Sequence, residues 1–170
     1  MGFPLPLFVS QDDMGSVHFR GRFEVKVDPK FRIALPADLR EAMASHPDSR
    51  MVITNSQYQG KRCLDVYPFH EWKKLESRIA RLPQLKVEVQ SFQRFYLSGG
   101  HEIELDAQSR ILIPQTLRQY AGIQSEVVVV GFAQKFEIWA ADQWHTLFDN
   151  LAQDFGQTLA AIADLGGEDD

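Results

Sequence analysis

Val25-Lys26-Val27-Asp28-Pro29-Lys30-Phe31-Arg32-Ile33-Ala34-Leu35-Pro36-Ala37-Asp38-Leu39-Arg40 recurs as Ile103-Glu104-Leu105-Asp106-Ala107-Gln108-Ser109-Arg110-Ile111-Leu112-Ile113-Pro114-Gln115-Thr116-Leu117-Arg118, at a constant offset of 78 residues. The Asp, the Arg four residues on, the Pro four beyond it, and the following Leu and Arg are identical, and apolar positions match apolar positions. Backwards, the same offset pairs Phe19 with Leu97 and Gly21 with Gly99. Forwards, a slightly shorter one pairs Leu64-Asp65-Val66-Tyr67 with Phe136-Glu137-Ile138-Trp139, and Trp72 with Trp144. Self-similarity of this kind marks two copies of one supersecondary unit.

Within the first copy, Phe19, Gly21, Phe23, Val25 and Val27 alternate with Arg20, Arg22, Glu24, Lys26 and Asp28, the period of a half-buried strand. Asp28-Pro29 opens a turn, because an Asp side chain bonds its own backbone and Pro pre-sets φ. Phe31, Ile33 and Leu35 form a return strand, Pro36 starts a short helix over 37–44, and 51–54 and 63–67 read as further strands. The second copy repeats the order: strand 101–105, turn 106–109, strand 110–113, helix 114–121 stopped by Gly122, then strands 126–130 and 135–139. Between the copies Trp72, Leu75, Ile79 and Leu82, then Leu85, Val89, Phe92 and Tyr96, recur at helical spacing, so a helical hairpin with Pro83 at its corner links them. The chain divides into an N-terminal extension (1–17), a first repeat (18–67), the linking hairpin (68–97), a second repeat (98–141) and a helical tail (142–170).

The 170 residues are 44% apolar and 24% charged, enough for a buried core, which excludes wholesale disorder. A single cysteine, Cys63, forms no intramolecular disulfide, and no His/Cys set has metal-ligand spacing, so no metal or other cofactor is expected. Nothing approaches the roughly 20 apolar residues of a membrane span, and the expectation is a cytoplasmic protein with no membrane partner. The net charge of −5 hides a division: residues 1–13 carry −2, residues 14–100 carry 15 basic against 9 acidic side chains, and residues 101–170 carry 3 against 12. A basic front half allows one positive face on an acidic protein.

The Asp-x-x-x-Arg pair, present twice, is the most specific feature. At a hairpin corner the Asp caps turn amides and meets the guanidinium in a bidentate pair, a structural role for Asp28, Arg32, Asp106 and Arg110. Arg32 gains a second role from its surroundings: the segment 19–32 holds Arg20, Arg22, Lys26, Lys30 and Arg32 against two acidic residues. A two-stranded β element fits the major groove of B-DNA, where Arg reads guanine and Lys or Arg hold phosphates. These five form the candidate contact set. Their counterparts in the second copy are Ser98, Gly100, Glu104, Gln108 and Arg110, so that copy reads as scaffold. No nucleophile elbow, phosphate-cradling glycine loop or catalytic His/carboxylate set is present, so neither an enzyme nor a small-molecule substrate is expected.

Phe19-Arg20-Gly21, the two Asp-x-x-x-Arg turns each followed by Pro at the same distance, Gln93-Arg94-Phe95 and Lys135-Phe136-Glu137-Ile138-Trp139 together resemble the MraZ family of bacterial transcriptional regulators, over about residues 18 to 150. The resemblance implies an α+β, mainly β fold, an AbrB-like (SpoVT-AbrB) swapped-hairpin double-psi β-barrel built from tandem units. It further implies a homo-oligomeric ring, double-stranded DNA as partner, direct repeats in the promoter of the cell-division and cell-wall gene cluster as target, repression as outcome, association with the nucleoid, and Arg32 as the DNA contact. The rival reading is an antitoxin-like module that grips a partner protein.

Overall fold

The computed structural model describes residues 18–166, so the extension assigned to 1–17 and the last residues of the tail lie outside it. Eight strands and six helices follow one another as β1 (Phe19–Lys26), β2 (Arg32–Ala34), α1 (Ala37–Ala44), β3 (Met51–Tyr58), β4 (Lys61–Pro68), α2 (Phe69–Ala80), α3 (Val87–Phe92), β5 (His101–Ile103), β6 (Arg110–Leu112), α4 (Gln115–Ala121), β7 (Glu126–Ala133), β8 (Lys135–Ala140), α5 (Ala141–Gln153) and α6 (Phe155–Gly166). A single π turn, Gln93–Leu97, extends α3. Pro36, Pro68 and Pro114 stand at helix N-caps, where a missing N–H removes nothing from the helix. Gly122 closes α4 in the left-handed conformation (φ 66°).

The six-stranded antiparallel sheet has the order β1-β7-β8-β4-β3-β5, and β2 pairs with β6 in a separate two-stranded ribbon. The outer strand of each copy is therefore exchanged: β1 runs beside β7 from Phe19↔Ala133 to Lys26↔Glu126, and β5 lies on β3. At the sheet centre the copies meet where Asp65 opposes Glu137 across β4 and β8. Gly21 (φ 99°) faces Gly131 in the β1–β7 ladder, and a Cβ on Gly131 would sit 2.8 Å from the Arg20 amide nitrogen, so this crossing needs bare backbone.

One core lies between sheet and ribbon. Ile33 and Ile111, paired in the ribbon, are fully buried with Leu64, Val66, Phe136 and Ile138 of the sheet, and each such side chain contributes about 1.5–3 kcal/mol by leaving water. The opposite face of the sheet is covered twice. Helices α2 and α3 bury Val52, Tyr67, Trp72 and Tyr96, while α5 buries Cys63, Val128, Trp139 and Leu147. That double cover explains why β3 and β4 run longer than alternation suggests, with Thr54, Ser56 and Asp65 buried.

The expected closed barrel is corrected by this arrangement. Strands β1 and β5 each pair on one side alone, and β2 and β6 pair with each other instead of joining the ladder, so the sheet stays open. The physical reason lies in the short strands: β2, β5 and β6 have three residues each, and the tight turns at 28–32 and 106–110 send the ribbon across the core rather than along the sheet edge. The architecture is α+β with an antiparallel sheet.

Candidate nucleic-acid interface

Each Asp-x-x-x-Arg turn is built from its own side chain. The Phe31 amide donates to Asp28 O and the Asp28 amide to Arg32 O, both at 2.9 Å. Asp28 Oδ1 accepts the Lys30 and Arg32 amides at 2.9 Å, and Oδ2 accepts Arg32 Nε at 2.8 Å. A three-residue loop of this kind requires a left-handed residue before the return strand, and Phe31 (φ 60°) supplies it. The second turn copies the first: Asp106 Oδ1 accepts the Gln108 and Arg110 amides at 2.9 Å, Oδ2 accepts Arg110 Nε at 2.8 Å, and Ser109 has φ 60°. The Arg32 amide, chiefly, with its guanidinium and the Lys30 amide, holds the Asp28 carboxyl below its ordinary range. At Asp106 burial pushes upward, and the Arg110 amide and guanidinium outweigh it.

The pairing with the Asp differs from the bidentate form read from sequence. Only Nε of Arg32 engages Asp28, and among the described residues no acceptor meets its terminal nitrogens. Arg110 is more committed: its Nη2 donates to Gln108 Oε1 at 3.0 Å and its Nη1 lies 3.8 Å from Asp28 Oδ2.

The ribbon draws further cations from both copies that sequence reading passed over. Arg40 Nη1 donates to Ser109 Oγ at 3.5 Å, and the Arg118 guanidinium lies 3.2 Å from the centre of the Phe31 ring. Each arginine reaches the turn of the other copy. Their identity at the repeat offset was visible in the sequence; the cross-copy reach was not, because it depends on the β2–β6 pairing.

Of the five expected contact residues, Lys30 and Arg32 lie at the ribbon turn. Arg20, Arg22 and Lys26 project from the exposed side of β1, opposite Phe19, Phe23 and Val25, which pack toward the core. On that side the Arg22 guanidinium sits 4.6 Å from the Phe148 ring of α5, and Glu24 Oε1 lies 3.6 Å from His145 Nε2, at a groove of about 360 Å³ floored by Val128 and Trp144.

A second polar cluster lies buried where the copies meet. Cys63, Asp65 and Glu137 offer ligand atoms within 4.8 Å of one another, a set able to hold a metal ion. Its charge is already answered: Lys135 Nζ is 2.9 Å from Asp65 Oδ2 and 3.6 Å from Glu137 Oε2. Tyr96 donates its hydroxyl to Asp65, its oxygen lies 2.7 Å from that of Tyr67, and Trp139 Nε1 donates to Glu137 at 3.0 Å. Burial, then the neighbouring Asp65 charge, pushes the Glu137 carboxyl up to about 7 and keeps the Cys63 thiol protonated. Burial works against the Lys135 charge, but Asp65, Tyr67 and Glu137 more than restore it.

Comparison with known proteins gives a consistent pattern. The MraZ protein family model, described as antitoxin-like, matches the chain twice, over residues 18–95 and 96–164. The transcriptional regulator MraZ of Halothermothrix orenii is 38% identical over 148 residues, 87% of this chain and 99% of that protein. Those of Desulforamulus reducens and Heliobacterium modesticaldum are 37% and 34% identical, each over 86% of this chain and 99% and 98% of their own length. Among the described residues no helix is long and apolar enough to cross a membrane.

Proposed function

This chain belongs to the MraZ family, and on that premise we propose that it is a transcriptional regulator that grips double-stranded DNA with its β2–β6 ribbon. One observation carries the reading: Arg32 is held by Asp28 through Nε alone, which fixes the guanidinium while leaving its terminal nitrogens for a partner. A two-stranded ribbon fits the roughly 12 Å major groove, and a guanidinium presented edge-on matches the N7 and O6 acceptors of guanine. Lys30, exposed in the same turn, takes a phosphate. Arg20 and Lys26, on the side of β1 away from the ribbon, add only long-range attraction for the polyanion, and Arg22, resting on Phe148, is the weakest of the five.

One such turn holds few phosphates and binds weakly, with strong salt dependence. Family resemblance supplies the remedy: a homo-oligomeric ring presenting several ribbons to direct repeats, so that effective concentration replaces strength at each contact. The target is the promoter of the cell-division and cell-wall gene cluster, the outcome is repression, and the setting is the nucleoid of the cytoplasm.

The test is retardation of the duplex upstream of the protein's own gene, with light scattering on the same samples. The wild-type chain is expected to bind, and Arg32→Ala to lose binding about 10-fold or more per contact while scattering shows the same assembly. Equal binding by the variant sinks the assignment. If the wild type is indifferent to DNA, the partner-protein reading takes over; the apolar stripe of α6, with Phe155, Leu159 and Ile162 each more than half exposed, is the surface that favours it.

A further inference from the structure

The copies differ at the residue that carries the left-handed conformation. Ser109 is small and bonded, whereas Phe31 is a bulky side chain at φ 60°, where L-residues with large side chains are rare. It is also 37% exposed, between Lys30 and Arg32. A strained, exposed aromatic at a turn where Gly would sit freely needs a compensating interaction. Arg118 of α4 provides one, with its guanidinium carbon 3.2 Å from the ring centre. Stacking at that distance lays the guanidinium flat, and a flat guanidinium keeps its N–H donors in its own plane, pointing past the ring edge. Among the described residues no carboxylate pairs with Arg118.

We propose that Phe31 is a platform that presents Arg118, a residue of the second copy, to a DNA phosphate beside the Arg32 turn. The interface is thus composite, with the second copy contributing a contact rather than only a scaffold. This rests on the DNA-binding reading above.

Two substitutions separate platform from turn. Phe31→Gly removes the ring and relieves the left-handed strain, so the melting temperature holds or rises. If Phe31 serves only the turn, DNA binding then holds or improves; if it is a platform, binding weakens as much as in Arg118→Ala. The expected losses are about threefold to tenfold for either variant, with no greater loss in the double variant, and a slope of log affinity against log salt reduced by about one per bound subunit. Phe31→Trp, which keeps a stacking face, retains binding. Because phosphates carry no sequence, the loss is the same on a random duplex as on the upstream duplex. Unchanged binding by Phe31→Gly, additive losses, or a loss confined to the upstream duplex overturns the platform. A wild-type chain that binds neither duplex overturns the DNA reading and this inference together, whereas a binding wild type with indifferent variants overturns this inference alone.

Discussion

The two copies share a backbone and divide their chemistry. Asp28–Arg32 and Asp106–Arg110 match to the tenth of an ångström at their shortest contact, 2.8 Å each, and both turns place a left-handed residue at φ 60°. Around that frame the first copy has Lys30 and Phe31 where the second has Gln108 and Ser109, and Arg20, Arg22 and Lys26 where the second has Ser98, Gly100 and Glu104. The Asp, Arg and Pro that fix the turns are held in common, whereas most residues that face outward, and the left-handed position itself (Phe31 against Ser109), have diverged. The sheet centre shows the same division inside the protein, since Lys135 stands at the position equivalent to Cys63, beside the equivalent pair Asp65 and Glu137. One copy supplies the ammonium for both carboxylates.

Removing that asymmetric cation has the largest expected effect on stability. Lys135→Met leaves the buried Asp65 and the mostly covered Glu137 without a counter-ion and costs about 3–5 kcal/mol above neutral pH, read by urea melts. The loss shrinks on acidification, because Glu137 then takes up a proton. In the wild type Glu137 titrates at about 7 in the folded chain against its ordinary 4.5, so the folded state holds that proton more tightly. Its contribution is full below about pH 4.5 and is lost as pH rises through 7. Glu137→Gln should flatten this part of the stability profile; a profile unchanged by the substitution excludes Glu137 as its source.

Substitutions at symmetric positions test whether the copies are equivalent where they look equivalent. Ile33 and Ile111 are ribbon partners, both completely buried. Ile33→Val and Ile111→Val should each cost about 0.5–1.5 kcal/mol and match each other within error. A clear inequality in the chemical melts would mean that one half of the core is better packed than the burial suggests.

The turns were legible in the sequence because their geometry is local: an Asp, an Arg four residues on and a Pro beyond suffice to fix them. The helices of the linker and of α4 were legible for the same reason, through apolar spacing and Gly122. Exchange of hairpins was implied by the family resemblance alone: nothing in Phe19–Lys26 names β7 as its neighbour, and the alternation of β1 fits any apolar partner face. The open sheet follows from that unread pairing. Asp65, buried, and Glu137, mostly covered, were hidden because a strand covered on both faces loses its alternation, and acidic residues read as surface. Near the ribbon, charge beside a turn singled out Lys30 and Arg32, which lie together at the β1–β2 turn, whereas Arg40 and Arg118, on short helices, gave no signal of reaching the opposite turn.

The smallest effect separates the two Asp residues. Asp28→Ala and Asp106→Ala each remove a carboxylate that accepts two turn amides and one guanidinium nitrogen, so each lowers the melting temperature by leaving those donors unmatched. The pair is not equal, however: Asp28 Oδ2 also lies 3.8 Å from Arg110 Nη1, so losing Asp28 touches both copies, while losing Asp106 touches its own. Asp28→Ala should therefore melt lower by a small margin. Arg110→Gln removes that cross-copy cation together with the main guanidinium partner of Asp106, so double-variant cycles should show a large coupling of Arg110 to Asp106 and a small one to Asp28. Both carboxyls titrate below their ordinary 3.8 when folded, so what they contribute is present at neutral pH and lost as pH falls below about 4. The margin between the variants should close over the same acid range, and a margin that persists when the carboxyls are protonated would trace it to packing instead of charge.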